Sequence, residues 1–285
     1  MNNNHPKHTT HVPHSPEIGR ILAAFLARDF FTEISYRAAF LTSIGGILFR
    51  VFIFYFLAQL IGQTASPLLE TYNGDYFSFV LIGLALGSYF GVGLTGFARA
   101  LRESQTTGTL EAMLMTPAPV SIIITGSAVW SYTFTTFRVF IYLLTGSLLL
   151  GVRLNHANIP AALLILVLGI ISFASIGIVA AAIIMIIKRG DPITTLLGNL
   201  ANLVSGVYYP LEVLPGWLQA IAHLLPLTYA LRGLRLALLA GADWATLWPD
   251  IRALLGFCVV LFPLSLLLFG MAVQRARAEG SLAQF

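Results

Sequence analysis

The sequence predicts an all-α membrane protein of six transmembrane helices, with an N-terminal amphipathic interfacial helix and short re-entrant helices between spans five and six. Hydrophobic residues make up 57% of the 285 residues and charged residues 10%, whereas a soluble domain carries roughly 25% charged residues. Several apolar segments reach the ~20 residues that cross the hydrocarbon core as a helix. We therefore expect a multi-pass protein of the cell (plasma or inner) membrane.

The first 37 residues divide into a polar tail and an amphipathic helix. In residues 1–14 a histidine recurs at every third position, but no carboxylate or cysteine completes a site, so we predict a disordered tail and no metal centre. Ser15, Pro16 and Glu17 have the pattern of a helix start. Apolar residues then fall on one stripe with arginines opposite, which predicts an interfacial helix over residues 15–37.

Six apolar segments follow within a membrane domain over residues 38–277, before a cytoplasmic tail at 278–285. The segments are 38–61, 77–97, 120–152, 161–187, 193–209 and 254–273. If all six cross, most lysines and arginines fall on the side of the two termini, and the first external connection, 62–75, has none. The positive-inside rule then places both termini in the cytoplasm.

Two short apolar helices are predicted between the fifth and sixth segments. The first starts at Pro215 and is stopped by Pro226, and the second covers 228–240. Both are too short to span and too apolar for water. We expect them to dip back into the outer leaflet, where buried backbone is tolerated.

The sequence shows no energy source or reaction centre of its own. All twelve acidic residues lie outside the six predicted segments, which argues against an ion- or proton-coupled carrier. No catalytic cluster predicts a membrane enzyme, and neither lysine, Lys7 or Lys188, follows a glycine as a phosphate-binding loop requires. Either a partner drives this chain or it conducts passively, and nothing in the composition favours nucleic-acid binding.

Polar residues of the fifth segment are candidates for a substrate path. Their spacing places them on one helical face: Thr195, Asn199, Asn202 and Gly206. Amide groups left unpaired in lipid are costly. We therefore expect this face to meet a pathway or another helix, with which asparagines also form hydrogen bonds.

Two arginines and three glycines in other segments also call for partners. Arg50 and Arg138 lie inside the first and third segments with no acid nearby. Each is predicted to bind an anionic substrate headgroup, or else to reach backbone carbonyls or lipid phosphates by snorkelling.

In the second segment, Gly83, Gly87 and Gly91 predict close helix packing, with a flexible gate as the alternative.

Two stretches resemble a known family. The connection after the second segment reads as an interfacial turn or a short helix that docks on a soluble partner, and contains Arg102, Glu103, Gly108, Glu111, Thr116 and Pro117. The second stretch, 205–241, contains Gly206, Pro210, Glu212, Pro215, Gly216, Trp217, Pro226, Tyr229, Arg235 and Gly241. Together with the span order, both resemble the type-2 ATP-binding-cassette exporter permeases.

The resemblance implies a homodimer or heterodimer of six-span permeases in membrane lipid, each seated on a cytoplasmic ATPase that binds ATP and Mg²⁺. This chain would hold no cofactor and no catalytic residue, and would export an amphiphile, a drug-like molecule, a lipid or a lipid-linked glycan. The ATPase contact is assigned to the interfacial helix and to the loop after the second span. The residues are Arg28, Arg102, Glu103, Gly108, Glu111, Thr116 and Pro117.

The resemblance also assigns the extracellular end. The short helices after span five would cap the exit, through Pro210, Pro215, Trp217, Pro226 and Tyr229, and spans two and five would face the substrate path. A scaffold that only anchors the ATPase is a further alternative, against which the polar face of span five argues.

Overall fold

The computed structural model describes residues 15–35, 37–72, 75–106, 120–152, 157–187 and 191–278. Every regular element in these ranges is helical. Two short 3₁₀ helices cover Ser66–Tyr72 and Leu211–Val213. The α-helices are α1 (Ser15–Ser35), α2 (Arg37–Ala65), α3 (Tyr76–Thr106), α4 (Val120–Leu149), α5 (Ile159–Ile187), α6 (Asp191–Val204), α7 (Gly216–Ala222), α8 (Pro226–Leu239) and α9 (Trp244–Ala278). The tail at 1–14 and the C-terminal residues from 279 lie outside the described residues.

Four helices of the described chain are long and apolar enough to cross a membrane, by length and composition. They are Phe40–Ile61 in α2, Tyr76–Arg99 in α3, Ile159–Ile184 in α5 and Trp244–Arg275 in α9. The third and fifth predicted segments correspond to α4 and α6, which are not among the four. The α4 helix has 30 residues, whereas α6 has only 14.

The long helices α3, α5 and α9 run in the same direction. Near their starts, Ile82 of α3 and Ala162 of α5 line one pocket. Further along, Gly177 of α5 meets the backbone of Gly93 so closely that a Cβ there would lie 1.7 Å from the Gly93 carbonyl oxygen. The α9 helix follows α5 in parallel, since its Cys258 lies 3.3 Å from the Ser172 hydroxyl and a later alanine pair, Ala182 and Ala272, is packed together.

The helices α2, α4 and α6 run in the opposite direction. The α4 residues Thr136 and Tyr132 contact α3 in reverse order, at Tyr89 and Phe97 respectively. The other two helices show the same reversal. For α2, Tyr55 contacts Phe77 near the start of α3, whereas Phe40 contacts Phe137 of α4, next to the Thr136 that meets Tyr89 further along α3. For α6, Gly198 meets Leu94 and Asn202 meets Gly87. Directions therefore alternate from α2 to α6, and α9 restores the direction of α5.

The central helix is α3, which is mostly buried and packs against α2, α4, α5, α6 and α8. Of its predicted packing glycines, Gly83 and Gly87 do lie against neighbouring atoms, but a Cβ at Gly91 would have nothing within 4 Å. Gly93 makes the close contact instead, with Phe173 and Gly177 of α5. The prediction for Gly91 is therefore wrong, because no described residue packs against that position of α3.

Three predicted boundaries are also wrong. The α6 helix ends at Val204, since the chain turns at Gly206 with a φ of +79°, in the left-handed region that glycine favours. The last long helix starts at Trp244 and so includes Asp250, which the predicted segment left outside. Pro226 occupies the first turn of α8, where a missing N–H costs nothing, after α7 has already ended at Ala222.

The N-terminal helix α1 packs on the first half of α4. A Cβ at Gly126 of α4 would lie 2.7 Å from the Phe25 ring, and Phe30 meets Trp130 edge-to-face at 5.9 Å. Leu22, Phe25 and Leu26 are half-buried. Its apolar stripe therefore contacts the helix bundle.

Candidate functional site

A buried arginine on α8 connects this helix to α3 and to the turn after α6. Arg235 of α8 donates hydrogen bonds from Nε to the Phe79 carbonyl at 3.1 Å, from Nη1 to Gly206 at 2.9 Å and from Nη2 to Val207 at 2.9 Å. Its guanidinium carbon also lies 3.4 Å from the centroid of the Phe79 ring. We call this arrangement the Arg235 clasp, and it fixes α8 to α3 and to the turn after α6.

Two glycines make the clasp possible. At Gly83 of α3 a Cβ would lie 2.1 Å from the Val207 carbonyl oxygen and 2.6 Å from Nη2 of Arg235. At Gly206 the positive φ turns the chain so that two successive carbonyls face the arginine. A side chain at either position would displace backbone atoms rather than a flexible side-chain end.

Among the described residues, three backbone carbonyls and no ion-paired carboxylate contact the Arg235 guanidinium. The phenol of Tyr72, which interacts with Arg235, lies in the 3₁₀ helix outside the spans, where burial raises its pKa although Arg235 opposes the rise. Tyr72 therefore stays neutral at physiological pH. The carbonyls of Phe79, Gly206 and Val207 and the π-face of Phe79 serve the guanidinium instead.

Tyrosines hold the connection between α6 and α7 on both sides of the clasp. Tyr76 of α3 donates to the Tyr208 carbonyl at 3.2 Å, and the Tyr208 ring stacks on Phe54 of α2 at 5.7 Å. Tyr209 donates to the Leu203 carbonyl at 2.7 Å, near the open end of α6. The connection is therefore attached to α2, α3 and α8.

The residues predicted for the exit lie around α7 and the start of α8. Pro210 is buried, whereas Pro215 is exposed at the start of α7 and Trp217 is 66% exposed. Pro226 is buried, and Tyr229 donates to the His223 carbonyl at 3.1 Å. These five residues thus belong to one structural unit, in which Trp217 presents the most exposed aromatic surface.

Of the residues predicted on the fifth span, Gly206 is part of the clasp itself, and Asn202 lies against Gly87 of α3. Its Oδ1 is buried without a hydrogen-bond partner among the described atoms, and a Cβ at Gly87 would lie 3.1 Å from it. Thr195 and Asn199 are exposed on α6 beside exposed leucines, and Gly206 lies in the turn beyond the helix. The predicted four-residue face is thus reduced to three residues.

The structure does not bring the two predicted intramembrane arginines to this group. Arg50 is exposed on α2. Arg138 is half-buried on α4, and its guanidinium lies 5.4 Å from the Phe134 ring centroid. The helix α6 packs on α3 and α7, while α2 and α4 pack on each other and on α3. Arg138 therefore contacts an aromatic face on its own helix.

Of the predicted ATPase-coupling residues, three lie in described helices. Arg28 is exposed on α1 and pairs with Asp29, with 2.6 Å between Nε and Oδ1. Arg102 and Glu103 belong to α3, which continues to Thr106, so they are helical and not part of a loop as predicted. The remaining predicted residues, Gly108, Glu111, Thr116 and Pro117, lie outside the described residues.

An ion pair that the sequence did not reveal lies between α8 and α9. Nε of Arg232 is 3.6 Å from Oδ2 of Asp250, whose side chain is only 1% exposed, and neither Asp250 oxygen has a hydrogen-bond partner among the described atoms. The aspartate follows Pro249, which made residues 244–253 read as a connection. The only sequence signal for this ion pair was the presence of an arginine and an aspartate in the two segments.

Within the described ranges, no three His, Cys, Asp or Glu side chains form a group that could hold a metal ion.

The sequence profile of one protein family covers most of this architecture. The profile described as ABC-2 type transporter matches residues 22–239. This range runs from α1 to the last residue of α8, so it contains the clasp and the short helices. The ion-pair partner Asp250, on α9, lies beyond it.

Two proteins of Bacillus subtilis (strain 168) are similar to parts of the chain. The Linearmycin resistance permease protein LnrN is 26% identical over 186 residues, which are 65% of this chain and 46% of LnrN. The Uncharacterized protein YhgE is 35% identical over 71 residues, which are 25% of this chain and 9% of YhgE. The matched regions thus span less than half the length of either relative.

Proposed function

The chain belongs to the ABC-2 type transporter family, and from that membership we propose that it is the transmembrane permease subunit of an ATP-binding-cassette exporter. Its substrate is an amphiphile, a drug-like molecule, a lipid or a lipid-linked molecule, which it moves outward. ATP and Mg²⁺ are bound by a separate cytoplasmic subunit, which hydrolyses the ATP. This chain provides the path that the substrate takes across the membrane. The family match over residues 22–239 is the observation that carries the proposal.

Six spans with both termini in the cytoplasm agree with the alternating helix directions. The α4 helix is about 45 Å long at 1.5 Å per residue, enough to cross. The 14-residue α6 is about 21 Å long, but the turn that follows it meets Gly83, only seven residues, or about 10 Å, from the start of α3. The connection after α6 completes that crossing.

Contacts of α8 with α5 support a re-entrant arrangement of the short helices. Near its start, Ala230 faces Gly169, ten residues or about 15 Å inside α5. In its last turn the Ala237 carbonyl, and just after its end the Ala242 carbonyl, accept hydrogen bonds from Asn158, immediately before α5 begins. The α8 helix therefore rises from mid-membrane to the surface where α5 starts, which suits a cap over the exit.

The force from ATP hydrolysis is proposed to enter at the opposite end, through α1 and residues 107–119, which follow α3 in the sequence. The α1 helix packs on the proposed cytoplasmic half of α4 through Phe25 and Gly126. A displacement of α1 by the ATPase would therefore be transmitted directly to α4. Glu111 is the proposed contact to the ATPase, and Arg28, Arg102 and Glu103 are proposed as further contacts. A dimer of permeases would place a second copy against the exposed polar side of α6, Thr195 and Asn199.

The substrate class rests on two observations. The name of LnrN describes a linearmycin resistance permease, which supports efflux of a drug-like amphiphile by this chain. The described spans also offer few charged groups to an ionic substrate. Arg50 and Arg138 remain the proposed contacts for an anionic headgroup.

One specific observation favours a second candidate, an ion-coupled carrier: the buried acid Asp250 within the last span. Its carboxylate faces Arg232, however, which gives it a structural partner. The test uses inside-out vesicles that contain the chain and the ATPase encoded beside it, with a fluorescent amphiphile as probe. We expect uptake that needs ATP, stops with vanadate and survives an uncoupler of the proton gradient. Uptake driven by the gradient without ATP would establish the carrier instead.

A further inference from the structure

A pocket of about 190 Å³ lies between α3, α4, α5 and α8, away from the polar side of α6. Its walls are aliphatic side chains together with Tyr89, whose hydroxyl is already engaged with Thr136 at 2.9 Å. No charged side chain lines it among the described residues. The pocket therefore offers a ligand shape and apolar contact, and no site for a polar headgroup.

The pocket opens at the beginning of α5. Ile159 and Leu163 belong to its lining and are nevertheless 49% and 56% exposed. Both lie in the part of α5 that is long and apolar enough to span a membrane. The mouth of the pocket therefore faces the membrane. The molecules with most ready access to it are membrane lipids.

Water is a poor occupant of such a space. Apolar cavities of about 150 Å³ stay dry and take up hydrocarbons such as benzene. A volume of about 190 Å³ accordingly accommodates several carbons of a chain. Leaving the space empty would deprive its lining of dispersion contacts.

We propose that this pocket binds one acyl chain of a membrane lipid, from the leaflet on the side where α3 and α5 begin. The headgroup stays outside, at the level of Ile159. Since Leu234 of α8 forms part of the wall beside Arg235, the bound chain packs against the helix that carries the clasp. Lipid occupancy thereby supports α8 against α3 and α5, whether or not ATP drives the protein.

The test is photolabelling of the full-length protein in vesicles of phosphatidylethanolamine with a minority of phosphatidylglycerol. The probe is a phosphatidylethanolamine with a diazirine near the end of one acyl chain, and labelled residues are mapped by mass spectrometry. We expect labelling of Leu163, Leu166 and Val139, which line the pocket, to exceed that of Val167, which is 51% exposed on the same helix but does not line it. Equal labelling of Val167 and the pocket residues would overturn the proposal.

Filling the pocket gives the matched comparison. Ala162→Phe places a ring in the space from a buried wall position, and Leu164→Phe enlarges an exposed residue of α5 outside the lining. We expect Ala162→Phe to lower pocket labelling by about tenfold, as a steric conflict of about 1.4 kcal/mol does, with Leu164→Phe unchanged. Unchanged labelling in a folded Ala162→Phe protein contradicts the proposal.

Two further outcomes are decided by the wild-type protein. If Ala162→Phe fails to fold, the ratio of pocket to Val167 labelling in the wild type alone decides. If a diazirine-bearing alkyl maltoside labels the pocket and the phospholipid does not, the site takes soluble amphiphiles and the lipid assignment is wrong. No outcome depends on ATP, so failure here leaves the exporter proposal untouched.

Discussion

Arg235 and Phe79 are joined twice: the Phe79 carbonyl accepts a hydrogen bond from Nε of Arg235, and the guanidinium carbon lies over the Phe79 ring, 3.4 Å from its centroid. One α3 residue thus holds both the edge and the face of an arginine on α8. Since Nη1 and Nη2 bind the turn after α6, the pair connects the membrane helices to the unit that is proposed to cap the exit.

Replacing Arg235 by alanine is expected to lower the free energy of unfolding by about 2–4 kcal/mol, because three carbonyls lose charge-assisted hydrogen bonds in a buried site. The measurement is thermal or denaturant unfolding of the detergent-purified chain. Arg252→Ala, an exposed arginine of α9, is the control and should stay within about 0.5 kcal/mol of the wild type. Equal losses in the two variants would show that the clasp does not stabilise the fold.

Two glycines of α3 provide a pair that differs only in its neighbours. Gly83→Ala should destabilise by about 1–3 kcal/mol, because its Cβ meets the Val207 carbonyl at 2.1 Å. Gly91→Ala has open space around it and should stabilise by about 0.5–1 kcal/mol through helix propensity. Unfolding of both proteins in one detergent checks the order, and the reverse order would contradict the described packing of α3.

Asp250→Asn separates the exporter from the ion-coupled carrier. The change keeps the shape and removes the charge that faces the half-exposed Arg232, so we expect at most about 1 kcal/mol of lost stability. ATP-driven transport should continue and remain independent of the proton gradient. Asp243→Asn, at an exposed position just before α9, is the control. Loss of gradient-driven transport in Asp250→Asn alone would assign the carboxylate to ion coupling.

Glu111→Arg tests the proposed contact with the ATPase. Reversing the charge of a residue at such a contact should release the ATPase or uncouple its hydrolysis from transport. Glu70→Arg makes the same reversal at an exposed residue of the 3₁₀ helix on the proposed external side. Co-purification and ATPase rate are measured for both, and intact coupling in Glu111→Arg would exclude that residue from the contact.

The sequence could predict the helical membrane class and the order of the long helices, because hydropathy and length are local properties. It also drew attention to Asn202 through helical spacing, and to residues 205–241 through their resemblance to a known family. The role of Arg235 could not be predicted in the same way. Its partners are three backbone carbonyls. Every residue has a backbone carbonyl, so the sequence does not show which ones bind the arginine.

The errors at the helix ends have similar causes. Pro249 and Asp250 interrupt the apolar pattern of α9, so the predicted segment began too late, although the helix continues through Pro249 as an interior proline and Asp250 pairs with Arg232. The early end of α6 depends on Gly206, whose positive φ is stabilised by Arg235 from another helix. Both features are fixed by tertiary contacts and not by local sequence.

The most direct test of the account is whether an ATPase accompanies this chain. The full-length chain, tagged and co-expressed with its neighbouring gene products, is purified in mild detergent with and without ATP and Mg²⁺. We expect an ATP-binding-cassette ATPase to co-elute in fixed proportion and its hydrolysis to require this chain for drug or lipid stimulation. A chain that elutes without any ATPase under every nucleotide condition would contradict the exporter proposal.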